Sequence, residues 1–246
     1  MPNPTRDTAA GRIYNDLRNL ARRTGAYGRT PADVRGWPVD PAARQALREY
    51  LEALPQDSEN VPHGLAGSDL DFTGADLSGL DLSSAEFGET LLSGVRLAGA
   101  DLSYAWLIGA TLHGADLSGC DLRKAQGRTC DARDAILRGA SLERADFEES
   151  DFRGADLSGV QFGRASLSGA DMRGADLRDC VFGTTVGPTD LWQVRLADCR
   201  LAGAAGRIYG PVDIGAHDSH LIDGSELLGW LASLGASLTE VTSLTP

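Results

Sequence analysis

A solenoid of five-residue units is the fold this sequence predicts, on three observations. From Leu70 to about Thr184 a large apolar residue recurs at every fifth position, as in Phe72, Leu77, Leu82, Phe87, Leu92 and Leu97. Two positions before each of these the residue is small, as in Ala75, Ala85, Ala100, Ala105 and Cys120. The remaining positions are mostly Asp, Ser, Arg and Gly, which suit a wet surface and tight corners. A period of five matches neither a helix at about 3.6 nor a flat strand at about 2. Self-similarity at fixed period marks stacked units, each burying its apolar side against its neighbours.

The unit reads Ala-Asp-Leu-Ser-Gly at Ala75–Gly79, Ala115–Gly119 and Ala155–Gly159. It resembles the motif of the pentapeptide-repeat proteins, over roughly residues 70 to 203. The resemblance implies an all-β solenoid, a right-handed quadrilateral β-helix with one unit per side and four units per coil. The columns spaced by 20 agree with it. Leu77, Leu97, Leu117, Leu137, Leu157 and Leu177 form one, and Leu82, Leu102, Leu122, Leu142, Phe162 and Phe182 another. At about 4.8 Å between stacked strands, six to seven coils make a rod about 30 Å long.

Two central positions break the rule, Gly127 and Ala132. One coil further on stand Phe147 and Phe152, in the same two columns. Voids in a core are costly, so each phenylalanine is expected to lean into the space below it. On that reading Phe147→Leu destabilises more than Phe87→Leu. After Phe182 the central residues become Leu191, Leu196 and Leu201, read as two units shortened by one residue. That register sets Cys199 one coil above Cys180, and no loop is expected between coils. Facing residues on stacked parallel strands have poor disulfide geometry. Cys120, Cys130, Cys180 and Cys199 are therefore expected as buried small hydrophobes.

The chain divides into an α-helical N-terminal extension (1–67), the repeat rod (68–203) and an α/β C-terminal cap (204–246). In the extension, Ile13, Leu17, Leu20 and Ala21 are spaced for a helix over Thr8–Arg23. Asp40-Pro41 starts a second, because an Asp cap followed by proline opens helices. Its apolar residues are Leu47, Tyr50, Leu51 and Leu54, and Thr24–Val39 reads as a loop. Beyond the rod, a strand is expected at Arg207–Ile214 and a helix over Gly224–Leu234, capped by Asp223. That helix has enough apolar surface either to close the last coil or to pair two molecules as a homodimer. No apolar run is long enough to span a membrane. Met1–Arg6 has no hydrophobic signal core, which gives a cytoplasmic expectation.

Net charge is +1 over residues 1–67, −9 over 68–203 and −4 over 204–246. Such a rod repels nucleic acid, and its favoured partners are proteins with a basic surface. The resemblance implies, for some members, mimicry of duplex DNA toward DNA gyrase or topoisomerase IV. Those members inhibit the enzyme or protect it from poisons. The candidate acidic face is Asp116, Asp156, Asp176, Asp101 and Asp121, although Asp is also simply the usual second residue of the unit. Arginines such as Arg123, Arg133, Arg153 and Arg173 interrupt it. The alternative is a scaffold for another protein partner, within a biosynthetic or regulatory complex for example.

Tyr104, Trp106 and Ile108 occupy outward slots, and Leu91 does so one coil earlier. Clustered apolar residues on a wet face mark a contact. Either the N-terminal helices fold back over them or a partner does. Catalysis finds no support. His217-Asp218-Ser219-His220 with Asp223 reads as a solvated loop, and there is no glycine-rich phosphate loop. No cofactor or metal is indicated.

Overall fold

The computed structural model describes residues 30–54, 64–183 and 187–240. The expected helix over Thr8–Arg23 lies outside them. Residues 20 apart are joined by parallel bridges, four ladders running side by side. The first ladder runs from Asp76 through Arg96, Asp116, Ile136 and Asp156 to Asp176. The second joins Asp81, Asp101, Asp121, Ser141 and Gln161. The third joins Ala66, Glu86, Trp106, Gln126 and Asp146, and the fourth joins Asp71, Leu91, Thr111, Asp131 and Asp151. This is a β-helix solenoid whose coil is 20 residues long.

The motif follows from where each backbone N–H goes. Asp116 N–H donates to the Val95 carbonyl of the coil before (2.9 Å), and Leu117 N–H to the Ile136 carbonyl of the coil after (2.7 Å). Gly119 N–H reaches Arg138 (2.9 Å), and Cys120 N–H closes the turn onto Leu117 (3.1 Å). Only the fourth residue of the unit lacks a backbone partner. The Asp side chain supplies it: Ser118 N–H donates to Asp116 Oδ1 at 3.0 Å, and Asp71, Asp101, Asp131 and Asp156 do the same two residues on. An Asp at the second position therefore serves the rod's own backbone, whatever the rod binds.

The central and small residues are buried throughout. Polar groups in the small slot follow one pattern. Thr90, Ser150, Cys120 and Cys180 each donate to the carbonyl of a central residue one coil down: Gly67, Gly127, Leu97 and Leu157. No buried side-chain nitrogen or oxygen lacks a partner among the described residues. A Cβ on Gly127 would lie 2.2 Å from Phe147 Cε1, so the phenylalanine fills the space the glycine leaves. Phe147 and Phe152 touch, with centroids 5.7 Å apart. The choice of Phe87 as the contrasting site does not hold. A Cβ on Gly67 would lie 2.8 Å from Phe87 Cδ1, so Phe87 fills the same kind of gap in the same column.

The register change is also corrected. Ser166 pairs with Asp190, Asp171 with Arg195 and Asp176 with Arg200, a step of 24. Four residues are therefore inserted after Phe182, rather than one lost. Cys199 consequently stacks above Ala175, while Ala204 takes the place above Cys180. All four cysteines are free. Burial pushes their thiols up, those of Cys130 and Cys199 to about 12, which leaves them unreactive.

Helix α1 (Pro41–Ala53) starts where expected: the Asp40 side chain accepts from Ala43 N–H at 2.7 Å, and proline follows it. Its Ala43, Leu47 and Leu51 join the apolar cluster of the first coil, and the Tyr50 hydroxyl donates to the Asp81 carbonyl at 3.0 Å. The preceding segment pairs Gly36 with Asp76, antiparallel, and includes a short 3-10 turn at Pro31–Asp33.

Past the repeats, β1 (Val181–Phe182), β2 (Thr189–Asp190) and β3 (Val194–Arg195) continue the stacking. The expected strand over Arg207–Ile214 is two, β4 (Ala205–Tyr209) and β5 (Val212–Asp213), broken at Gly210-Pro211. Strand β6 (Leu221–Ile222) runs antiparallel to β5. Helix α2 (Gly224–Ser233) buries Leu227 and Leu231. Asp223 stands at its N-cap without a side-chain cap bond, unlike Asp40. Strand β7 (Ser237–Glu240) returns parallel to β4. No helix among the described residues is long and apolar enough to cross a membrane.

Candidate functional site

The five aspartates of the candidate acidic face fall on two ladders. Asp116, Asp156 and Asp176 stand in the first, and Asp101 and Asp121 in the second. Most are engaged within the rod. Asp176 is 3% exposed and accepts from Arg178 at 2.6 Å and Arg200 at 2.9 Å. Asp121 is as buried and pairs with Arg123; Asp156 pairs with Arg138. The same holds on the fourth ladder, where Arg133 pairs with Asp131, Arg153 with Asp151 and Arg173 with Asp171, each at 2.6 Å. From the third coil upward, carboxylates and guanidinia thus largely neutralise one another.

Asp176, Asp131, Asp156 and Asp171 are held low, whereas Asp101 is raised. The Arg178 hydrogen bond holds the Asp176 carboxyl below its ordinary value, and Arg133 does so for Asp131. Burial opposes this at Asp156 and Asp171, yet hydrogen bonds from Ser158, Arg138 and Arg173 keep both low. Each of these carboxylates adds stability above the unfolded value near ~3.9, and that stability is lost as pH falls through the folded value. Asp101 goes the other way. Burial raises it, aided by Asp121 and Asp81 directly above and below. Its charge therefore works against folding at neutral pH. Asp101→Asn keeps the acceptor for Ser103 N–H and is expected to stabilise by about 0.5 kcal/mol. Urea titration at pH 7 checks this, and the gain should vanish at pH below about 4.

The outward apolar residues separate into two sites. Trp106 is 53% and Leu91 46% exposed, whereas Ile108 is half-buried. Helix α1, the described helix of the extension, joins the first coil instead of covering them. Trp106 stacks directly on Glu86 and Leu91 directly on Asp71. The coil beneath, residues 70–89, contains Asp71, Asp76, Asp81, Glu86 and Glu89 with no Lys or Arg, although Asp76 pairs with Arg96 of the next coil at 3.0 Å. Tyr104, 56% exposed, belongs elsewhere: Lys124 Nζ lies 4.6 Å from its ring centroid and donates to its hydroxyl at 2.6 Å.

No cluster of metal-ligating side chains occurs among the described residues. His217 and His220 are exposed, in a loop held by Asp213, whose Oδ1 accepts from Gly215 N–H (2.9 Å) and His220 N–H (2.8 Å). The buried clamp at Asp213 went unrecognised in the sequence, where it stands outside the five-residue pattern.

The family model described as pentapeptide repeats (8 copies) matches residues 75–114, 96–126, 110–148, 128–163 and 145–183. The chain belongs to the pentapeptide-repeat family. Three solved structures of such repeat rods are similar to it. A pentapeptide repeat protein of the Arabidopsis thaliana thylakoid lumen is 31% identical, over 46% of this chain and 69% of that one, at a TM-score of 0.33. HetL of the cyanobacterium Nostoc, involved in heterocyst differentiation regulation, is 26% identical over 58% and 84%, at 0.25. Trypsin-treated QnrB1, a plasmid-mediated fluoroquinolone resistance protein, is 18% identical over 70% and 100%, at 0.46. No curated protein matches the chain in sequence.

Proposed function

We propose that this pentapeptide-repeat protein acts without catalysis, by presenting its first coils to a protein with a basic surface. The observation that carries this reading is the stacking of exposed Trp106 and Leu91 on Glu86 and Asp71, in a coil with five acids and no base. An aromatic anchor beside one sign of charge is the usual make-up of a recognition patch, the ring supplying affinity and the charges steering and register.

A type II topoisomerase, met as an acidic surrogate for DNA in the cytoplasm, is the sharper form of the reading. Net charge −12 favours it. The arginine pairing along the upper coils confines any mimicry to the acidic first coil and its neighbours. A scaffold for another basic protein is the broader form. Neither form needs a homodimer, although exposed Leu228 on α2 (37%) leaves that surface available for one.

Binding of purified DNA gyrase, followed by calorimetry across salt concentrations, tests the proposal. Affinity is expected to fall as salt rises, and duplex DNA should compete. Trp106→Ala should weaken binding by about 2 kcal/mol, and Glu86→Lys should slow association. Binding indifferent to salt, to DNA and to both substitutions would sink the reading.

A further inference from the structure

The turn after the second ladder carries charge of the opposite sign to the rod. Tyr104, Lys124, Arg144 and Arg164 stand there one above another, at successive coils. All four have left-handed backbone, with φ between 60° and 61°. That conformation disfavours side chains, and glycine is the residue that adopts it freely. The turn after the first ladder largely obeys this, with glycine at 79, 99, 119, 139, 159 and 203 and Asp179 as the exception. The second turn has no glycine in any described coil. Left-handed non-glycine residues occur on other turns too, as at Glu89, Thr129 and Glu149, so what sets this turn apart is its long cationic or aromatic side chains at four successive coils.

With Arg123, Glu143 and Gly163 they line an open groove of ≈ 350 Å³. We propose that this groove binds a compact polyphosphate anion. Lys124 and the arginines above it span two coil steps, about 10 Å, which suits a chain of two or three phosphates. Lys124 is held in place by Tyr104, so one cation is pre-set, whereas the charge of Arg123 is already met by Asp121. Gly163 leaves the floor open, and Glu143 is the one acid in the lining. A volume near the lower end for small-ligand sites fits a short anion. Longer polyanions are disfavoured, because Asp81, Glu86 and Glu89 flank the turn one coil below Tyr104.

Calorimetric titration of the whole chain with inorganic triphosphate at low salt is the test, with ATP as a second probe. The double variant Lys124→Gly/Arg144→Gly removes two cations and relieves the strained backbone. It should melt no lower than the parent yet bind triphosphate at least about tenfold more weakly. Gly163→Leu has room at its Cβ, 3.7 Å from Glu143 Cγ, and should block the groove with every charge in place. Arg138→Ala, on another turn, should change affinity by less than about twofold. ATP binding as well as triphosphate means the phosphate chain suffices, and tighter ATP binding adds the base; both support the site. No binding by the parent at millimolar triphosphate would overturn it. So would affinity unchanged in the double variant, or lost equally in Arg138→Ala.

Discussion

Phe147→Ala is expected to lower stability by about 4 kcal/mol. The ring occupies the space Gly127 leaves empty, so its removal opens one void spanning two coils. Gly127→Leu alone should also destabilise, by about 3 kcal/mol, because the new side chain meets the ring. Combining Gly127→Leu with Phe147→Leu restores the leucine column seen at Leu107 and Leu167, and should recover most of either loss. Denaturant unfolding of the parent, Phe147→Leu, Gly127→Leu and the double variant gives the coupling directly. Additive losses would show that the ring does not fill the gap. Phe87→Leu, above Gly67, should behave like Phe147→Leu, in contrast to what the sequence suggested.

Asp176→Ala is the second large effect, about 2 kcal/mol. This carboxylate is buried, accepts from the Arg178 N–H and side chain, and also meets Arg200 across the four-residue register step. Its removal leaves the Arg178 N–H unpaired and two guanidinia facing each other. Asp176→Asn keeps one acceptor and should lose about half as much. The difference between parent and Asp176→Ala should shrink as pH falls through the lowered value of the Asp176 carboxyl, since protonation removes the same ion pairs. A pH-independent difference would contradict this.

The columns of the core were legible because five-residue spacing places every apolar side chain without any knowledge of contacts. The step after Phe182 was not. Losing one residue and gaining four leave the same phase in a period of five, and only the pairing of Asp176 with Arg200 distinguishes them. Strand β7 escaped because Ser237–Glu240 is short and alternates weakly, its place set by pairing with β4. Trp106 and Leu91 were visible as apolar residues in outward slots. Tyr104 was grouped with them along the chain, but its contact with Lys124 lies 20 residues away, in a column of outward residues that spacing alone does not single out. The pairing of the candidate acidic face with arginines was hidden for the converse reason. A second-position Asp pairs with the N–H two residues later, and its arginine partner stands two, 18 or 24 residues distant.

A DNA gyrase supercoiling and cleavage assay, with the protein titrated in with and without a quinolone, tests recognition through the first coils most directly. Inhibition or protection near stoichiometric protein, lost in Trp106→Ala and Glu86→Lys, is the predicted result. Supercoiling and cleavage unchanged up to a large excess of protein would contradict it.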